Sequence, residues 1–469
     1  LIYYRKGQKT LKRFLSIRVL FKAFYLMRCK LYLGIKFLKK RIWRKLVSIV
    51  RRFRSKMWKI FNQTRKKIIA ISRSILKRPP VMKLKRALFD GYMSFSAGRL
   101  PYRMSPETPK QVNQLLIFGD MGLGNFLMFT PALAALRKQY QDAEIVVLFF
   151  KSRGAEHVAK ENPDIDRLVS IEMPKRSGIF PFLRLIRTCS KEKIRPDMIV
   201  ARWNGNPYVS LLTMWLRAAY RVGHVSSAGF KGYYDDVFNF PVPMSEDEHE
   251  VERNLDLVRV LGIQPQSSKM YMPVCSSNRR EAEELITKRG FDISKLVCLQ
   301  TGSSDLQHWK RWPESHWIQL TEKLDRLGYE CVFIGSRDEA KIARSIIEKT
   351  NLAEHGDRIN VCGELSLNGT AALLENSVGI ICNDSGLMHV AASVGTPIVG
   401  LFGPTEFDRT RPYVDNCTIL RKDCDCNHGT LFDRQTLKKI EACDRPCLKK
   451  TLPDEVIQCV VKNMPIEEQ

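Results

Sequence analysis

Between about residues 111 and 415 the apolar positions fall into short unbroken runs separated by segments of helical spacing. QLLIFGD has the length of a strand and ends near glycine, FLMFTPALAALRKQY follows with a helical pattern, and EIVVLFF and DMIVAR come after it. Short apolar runs of this kind predict strands buried on both faces, as in a parallel sheet. Strand, loop, helix, strand is the βαβ unit. The pattern restarts after the polar stretch QPQSSKMYMPVCSSNRR, with LVCLQTG, helical HWIQLTEKLDRLG, YECVFIGS, helical EAKIARSIIEKT, GIICNDSG and PIVGLFG. The chain therefore reads as α/β, with two Rossmann-like domains, 111–270 and 290–415, facing a cleft. Ligands of such sheets bind beyond the carboxyl ends of the strands, so the chemistry belongs in the loops that follow these runs.

Composition changes the picture at the two ends. With 469 residues and 44% apolar content the chain can build globular cores and is not a disordered protein. Its net charge of +28 suggests nucleic acid until its location is considered. About 29 of the 77 Lys and Arg residues lie in residues 1–86, the first acid is Asp90, and the remainder is close to neutral. Residues 1–88 interleave these cations with Phe21, Phe24, Tyr25, Phe37, Trp43, Phe53, Trp58 and Phe61. No run there reaches the roughly 18–20 apolar residues of a membrane span. The spacing predicts a basic helical extension lying on an anionic membrane surface, with a basic RNA-binding tail as the alternative and no specific nucleic acid expected. It does not read as a secretory signal, and the opening Leu1 leaves the true start open. Among 13 cysteines, Cys298, Cys331 and Cys382 stand alone in apolar runs, which reads as reduced core thiols and a cytoplasmic location.

Three loops carry candidate chemistry. NDSGLMHVAASVGTPIVGLFGPT places Asp384, Ser385, Gly386 and Leu387 where a strand gives way to a helix. Exposed N–H groups and the positive end of the helix dipole make an anion site there. The plainer reading makes Asp384 or Ser385 an N-cap and His389 a core histidine. Thr301 opens TGSSDLQHWKRWPESHW, in which Lys310 and Arg311 supply cations and Trp309, Trp312, Pro313 and Trp317 stiffen the loop. The alternative is a packed tryptophan turn with a solvated Lys-Arg pair. In FIGSRDE, Gly335 ends a strand four residues before Glu339, an acid placed to accept bonds from ribose hydroxyls.

NDSGLMHVAASVGTPIVGLFGPTE, KRWPESHW and GLGNFLMFTPALAALR together resemble glycosyltransferase family nine, the ADP-heptose:lipopolysaccharide heptosyltransferases, over about residues 115–464. The resemblance implies a GT-B fold, with the nucleotide sugar on the C-terminal domain and the acceptor on the N-terminal one. It also implies inversion at the anomeric centre without a required cofactor, because protein groups stabilise the departing diphosphate. Asp384, Ser385, Gly386 and His389 match the family's donor-phosphate loop, Lys310 matches its diphosphate lysine, and Glu339 falls near its ribose-binding acid. Gly122, Gly124 and Asn125 fall in its acceptor loop. One departure matters. Where the family carries its catalytic base in a Gly-Asp pair, this chain has Gly124-Asn125, and an amide cannot take the proton. Asp120, five residues earlier in FGDMGLGN, is the expected base, with Asn125 positioning acceptor or donor; the plainer role of Asp120 is a strand-end cap.

Residues 416–469 form a Cys-rich segment and a closing helix. Cys424, Cys426, Cys443 and Cys447, with His428 nearby, can hold structural zinc or iron, or can be reduced thiols or a disulfide pair. Similar ends in branches of the family that heptosylate proteins resemble an iron-binding finger. The expected protein is a cytoplasmic glycosyltransferase, peripheral on the inner face of the plasma membrane. It moves heptose from ADP-heptose to a lipid-linked lipopolysaccharide core acceptor. The alternatives are another nucleotide sugar, a protein or O-antigen acceptor, or a non-catalytic membrane- or RNA-binding protein with a GT-B shell.

Overall fold

The computed structural model describes residues 109–119, 121–149, 154–171, 179–202, 207–225, 237–245, 247–303, 305–423, 439–440 and 442–466. The basic extension expected over 1–88 lies outside them. Six parallel strands make the first sheet, β1 (Gln114–Phe118), β2 (Glu144–Phe149), β3 (Arg167–Ser170), β4 (Met198–Ala201), β5 (Tyr220–Val225) and β6 (Phe240–Pro243), in the order β3-β2-β1-β4-β5-β6. Five make the second, β7 (Leu296–Gln300), β8 (Glu330–Phe333), β9 (Gly379–Asn383), β10 (Ile398–Phe402) and β11 (Cys417–Arg421), in the order β11-β10-β9-β7-β8, again all parallel.

The central strands are apolar throughout because both of their faces are covered. In β1, Leu115 and Ile117 enter one core cluster while Leu116 and Phe118 enter another, the two-residue alternation of a pleated strand. The first cluster runs on into the second sheet. Cys298, Cys331 and Cys382 are buried free thiols of that sheet, and burial pushes the Cys298 thiol up to about 12.

Strand order reverses between β1 and β4 in the first sheet and between β7 and β9 in the second. Crevices at such reversals are where open α/β sheets bind ligands. The loops after β1, β7 and β9 are those that carry Gly122 to Asn125, Thr301 to Lys310, and Asp384 to His389. Sequence periodicity ran FLMFTPALAALRKQY together as one helical segment. The chain instead forms Leu123–Leu127 and then Thr130–Gln139, with Pro131 in the first turn of the second helix, a position that suits a residue without an N–H.

Candidate active site

The site is assembled from the loops that leave β7 and β9. Asn383, the last residue of β9, is fully buried. Its amide donates to the carbonyls of Thr301 (2.9 Å) and Gly302 (3.1 Å) and accepts from the Trp312 N–H (2.9 Å). One side chain thus ties together the loop that contains Lys310. Trp309, Trp312 and Trp317 are buried beneath it, with Trp312 edge-on to Trp317 at 5.2 Å. Arg311 is engaged with its own loop: its guanidinium donates to the Ser303 carbonyl at 2.7 Å and to the Ser303 hydroxyl at 3.2 Å. The sequence expected both Lys310 and Arg311 to supply charge, and of the two it is Lys310 that reaches the loop after β9, at Asp384.

Lys310 Nζ lies 2.8 Å from Asp384 Oδ2, with both side chains nearly buried. Burial alone raises the pKa of a carboxyl. Here the Lys310 charge and hydrogen bond, the Thr405 hydroxyl and His389 outweigh it and hold Asp384 below the usual range. Ser385 occupies the N-cap of the Gly386–Val394 helix without capping it through its side chain. Its hydroxyl donates instead to Gln300 Oε1 at 3.0 Å. The N-cap alternative for Ser385 is therefore not what the side chain does. His389 sits on the buried face of this helix, and its Nδ1 has no hydrogen-bond partner among the described residues. Burial pushes its pKa down to about 4, so the ring is neutral at pH 7. Leu387 is half-buried against the core.

A second group lies on the other side of Gln300. The Gln300 amide donates to Glu339 Oε1 (3.1 Å) and to the Gly302 carbonyl (2.8 Å), and the Ser336 N–H donates to Glu339 Oε2 (2.7 Å). A Cβ on Gly302 would fall 2.0 Å from Glu339 Oε1, and one on Gly335 would fall 3.0 Å from Oε2. The glycines leave room for the carboxylate, which is oriented by Gln300 and Ser336 and linked through Gln300 to Ser385. Sequence reading passed over Gln300 and Asn383 because a polar residue at the end of an apolar run looks like the start of a loop.

The first half meets this site through the Leu123–Leu127 helix, whose N-cap is Gly122. It packs on the Gly386–Val394 helix: a Cβ on Gly124 would meet His389 Cδ2 at 2.5 Å, and one on Gly386 would meet Leu123 Cδ2 at 3.0 Å. Asn125, half-buried, is next to that contact in sequence. Asp120 lies outside the described residues, as do Cys424, Cys426 and His428. Of the four expected thiols, Cys443 is half-buried and Cys447 is buried, and no group of three or more metal-ligating side chains occurs among the described residues. No helix among them is long and apolar enough to cross a membrane.

The chain's likeness to known proteins agrees with this geometry. The model of glycosyltransferase family 9 (heptosyltransferase) matches residues 197–439. The lipooligosaccharide heptosyltransferase 2 of Haemophilus ducreyi is 39% identical over 322 residues, which cover 66% of this chain and 88% of that protein. Among solved structures, a family 9 glycosyl transferase from Veillonella parvula aligns with a TM-score of 0.61 at 23% identity, covering 77% of this chain and 99% of its own. The ADP-heptose lipopolysaccharide heptosyltransferase II of E. coli aligns with a TM-score of 0.58 at 21% identity, covering 75% and 98%. The two-sheet architecture is the GT-B fold of these structures.

Proposed function

The chain belongs to glycosyltransferase family 9, and from that premise we propose that it transfers heptose from ADP-heptose to a saccharide acceptor of the lipopolysaccharide core. The observation that carries this reading is the buried Lys310–Asp384 pair beside a helix N-terminus whose cap side chain is turned away. As the glycosidic bond to the diphosphate breaks, negative charge grows on the phosphate oxygens. Lys310 and the first-turn N–H groups of Gly386–Val394 are fixed where that charge appears, so little reorganisation accompanies it. Glu339 accepts the ribose hydroxyls, with Thr301 and Gly335 shaping the backbone around the nucleoside. The acceptor hydroxyl approaches from the Gly122–Asn125 loop, Asp120 removes its proton and Asn125 holds it in line. The donor is soluble and the acceptor lipid-linked, so the cation-rich, aromatic residues 1–88 would keep the enzyme on the anionic inner face of the plasma membrane.

The test is a thermal-shift panel of ADP, UDP, GDP and CMP on the full chain, followed by transfer from ADP-heptose to a core-saccharide acceptor read by mass. A ligand selective for the folded state adds about 2.7 kcal/mol at 100 times its dissociation constant. Selective stabilisation by ADP and a heptose-sized mass gain are expected. Stabilisation by UDP or GDP instead replaces the sugar, and no stabilisation by any of the four defeats the assignment.

A further inference from the structure

A second group of buried charges, distinct from the Lys310–Asp384 pair, joins the two halves of the enzyme. Glu250 opens the Glu250–Arg259 helix of the first half, and its side chain is 5% exposed. It pairs with Arg202, which directly follows β4, with Arg253 at 3.1 Å on its own helix, and with Arg409 of the second half at 2.5 Å. Arg409 also pairs with Glu406. Two further links flank this one. His249 Nδ1 accepts from the Val251 N–H at 3.1 Å, which leaves Nε2 to donate to the Arg411 carbonyl at 2.8 Å. The same ring stacks on Tyr413 at 4.5 Å, and the Tyr413 hydroxyl donates to Glu252 at 2.6 Å. Every partner on the second half lies between Glu406 and Tyr413. That segment begins directly after Thr405, a buried residue at the end of the β10 loop whose hydroxyl is one of the groups that lower the Asp384 pKa. One short stretch of chain, which follows directly on β10 and Thr405, thus carries the contacts of the second half to the Glu250–Arg259 helix.

We infer that Glu250 and Arg409 are positioning residues, a latch that fixes the acceptor half against the donor half in the register that transfer requires. The inference rests on the glycosyltransferase reading. Apolar contact is non-directional and lets packed surfaces slide. A buried guanidinium-carboxylate pair is favourable only in good geometry, so it selects one register. Reacting atoms must come to about 3–3.5 Å, and a displacement of about 1 Å costs on the order of 100-fold in rate. A latch of this kind governs turnover and leaves the nucleotide's own contacts intact.

The test is Arg409→Met in the full chain, which leaves Glu250 paired with Arg202 and Arg253 inside the first half. The expected result is a fall in kcat of about tenfold or more, with ADP affinity and the KM for ADP-heptose within about twofold of wild type, and partial recovery in Arg409→Lys. Wild-type kcat, or a loss of ADP affinity in step with kcat, overturns the latch. Should Arg409→Met fail to fold, Tyr413→Phe removes only one hydroxyl and gives the same split at smaller size, and normal kcat there overturns it equally. If the wild-type chain transfers no heptose, the functional reading falls by itself, and hydrogen exchange then decides the latch. Residues 250–259 and 407–413 must open together in the wild type and separately in Arg409→Met, and segments that open independently in the wild type, or together in both, reject it.

Discussion

Removing the Lys310 charge tests the site through stability and activity at once. In Lys310→Met, Asp384 keeps its burial and loses its partner at 2.8 Å. Breaking one side of a buried ion pair costs about 3–5 kcal/mol, a large part of the roughly 5–15 kcal/mol that holds a domain folded. The sign of the pH dependence also changes. In the wild type the Asp384 pKa is depressed, so its contribution is present above the unfolded carboxylate pKa and is lost as pH falls through the lower folded value. Without Lys310, burial, the largest influence, is opposed only by the Thr405 hydroxyl and His389, and the folded pKa is expected to rise above the unfolded one. Stability then falls as pH rises through that window, by up to about 1.4 kcal/mol per pH unit.

Denaturant unfolding of wild type, Lys310→Met and Lys310→Met/Asp384→Asn between pH 4 and 7 measures this directly. The single variant is expected to lose most at pH 7 and to recover towards pH 4. The double variant removes both buried charges and is expected to regain stability at pH 7, while transfer stays at least about 100-fold below wild type because the diphosphate has lost its cation. A single variant as stable as wild type at pH 7, or a double variant no more stable than the single one, refutes the account of the pair.

Gly124→Ala places a methyl group 2.5 Å from the buried His389 ring; overpacking of this kind costs about 1–3 kcal/mol, and slower transfer with unchanged ADP affinity is expected in steady-state kinetics. Asp120→Asn is expected to lower kcat by about 100-fold or more with the donor KM unchanged, and normal turnover removes Asp120 as the base. Glu339→Gln is expected to weaken ADP binding in calorimetry by about tenfold or more, since hydrogen bonds to a charged group contribute about 1.5–3 kcal/mol, and to leave the affinity for inorganic pyrophosphate unchanged. Metal analysis of the purified full chain checks the cysteine segment: about one zinc or iron per chain is expected if Cys424, Cys426, Cys443 and Cys447 act together, and a ratio near zero ends that idea.

The parts of the fold that were legible in the sequence are those where one physical requirement dominates. β1, β2, β7, β9 and β10 are covered on both faces, so burial writes them as unbroken apolar runs. β3, β5, β6 and β11 were passed over because they answer to more than one requirement. β3, β6 and β11 form sheet edges: β3 mixes Arg167 and Ser170 with Leu168 and Val169, β6 carries Pro241 and Pro243, which an edge tolerates, and every residue of β11 is half-exposed. β5 contains Arg221, wholly buried because its guanidinium donates to the Val237 and Ala218 carbonyls. The same limit applies at the site. Lys310, Asp384 and His389 stand in loops with a recognisable order, whereas the importance of Glu250 and Arg409 depends on two segments 159 residues apart meeting, which no local pattern encodes.

An acid in the middle of the proposed diphosphate site looks misplaced until the lysine is considered without it. A lysine side chain has several rotatable bonds and three N–H donors, and a free one would have to be ordered at the moment charge develops. Asp384 takes one of those donors and fixes the ammonium before the nucleotide arrives, leaving the others for phosphate oxygens. The pair is close to neutral, so its repulsion of the diphosphate is small, and the adjoining helix N-terminus supplies the net attraction. Asn383 and the buried tryptophans then hold the Lys310 loop against β9, so the carboxylate and the ammonium cannot drift apart. On this account the penalty for Asp384→Asn falls chiefly on kcat: the lysine keeps its charge and its reach, and loses the orientation that made both useful in the transition state.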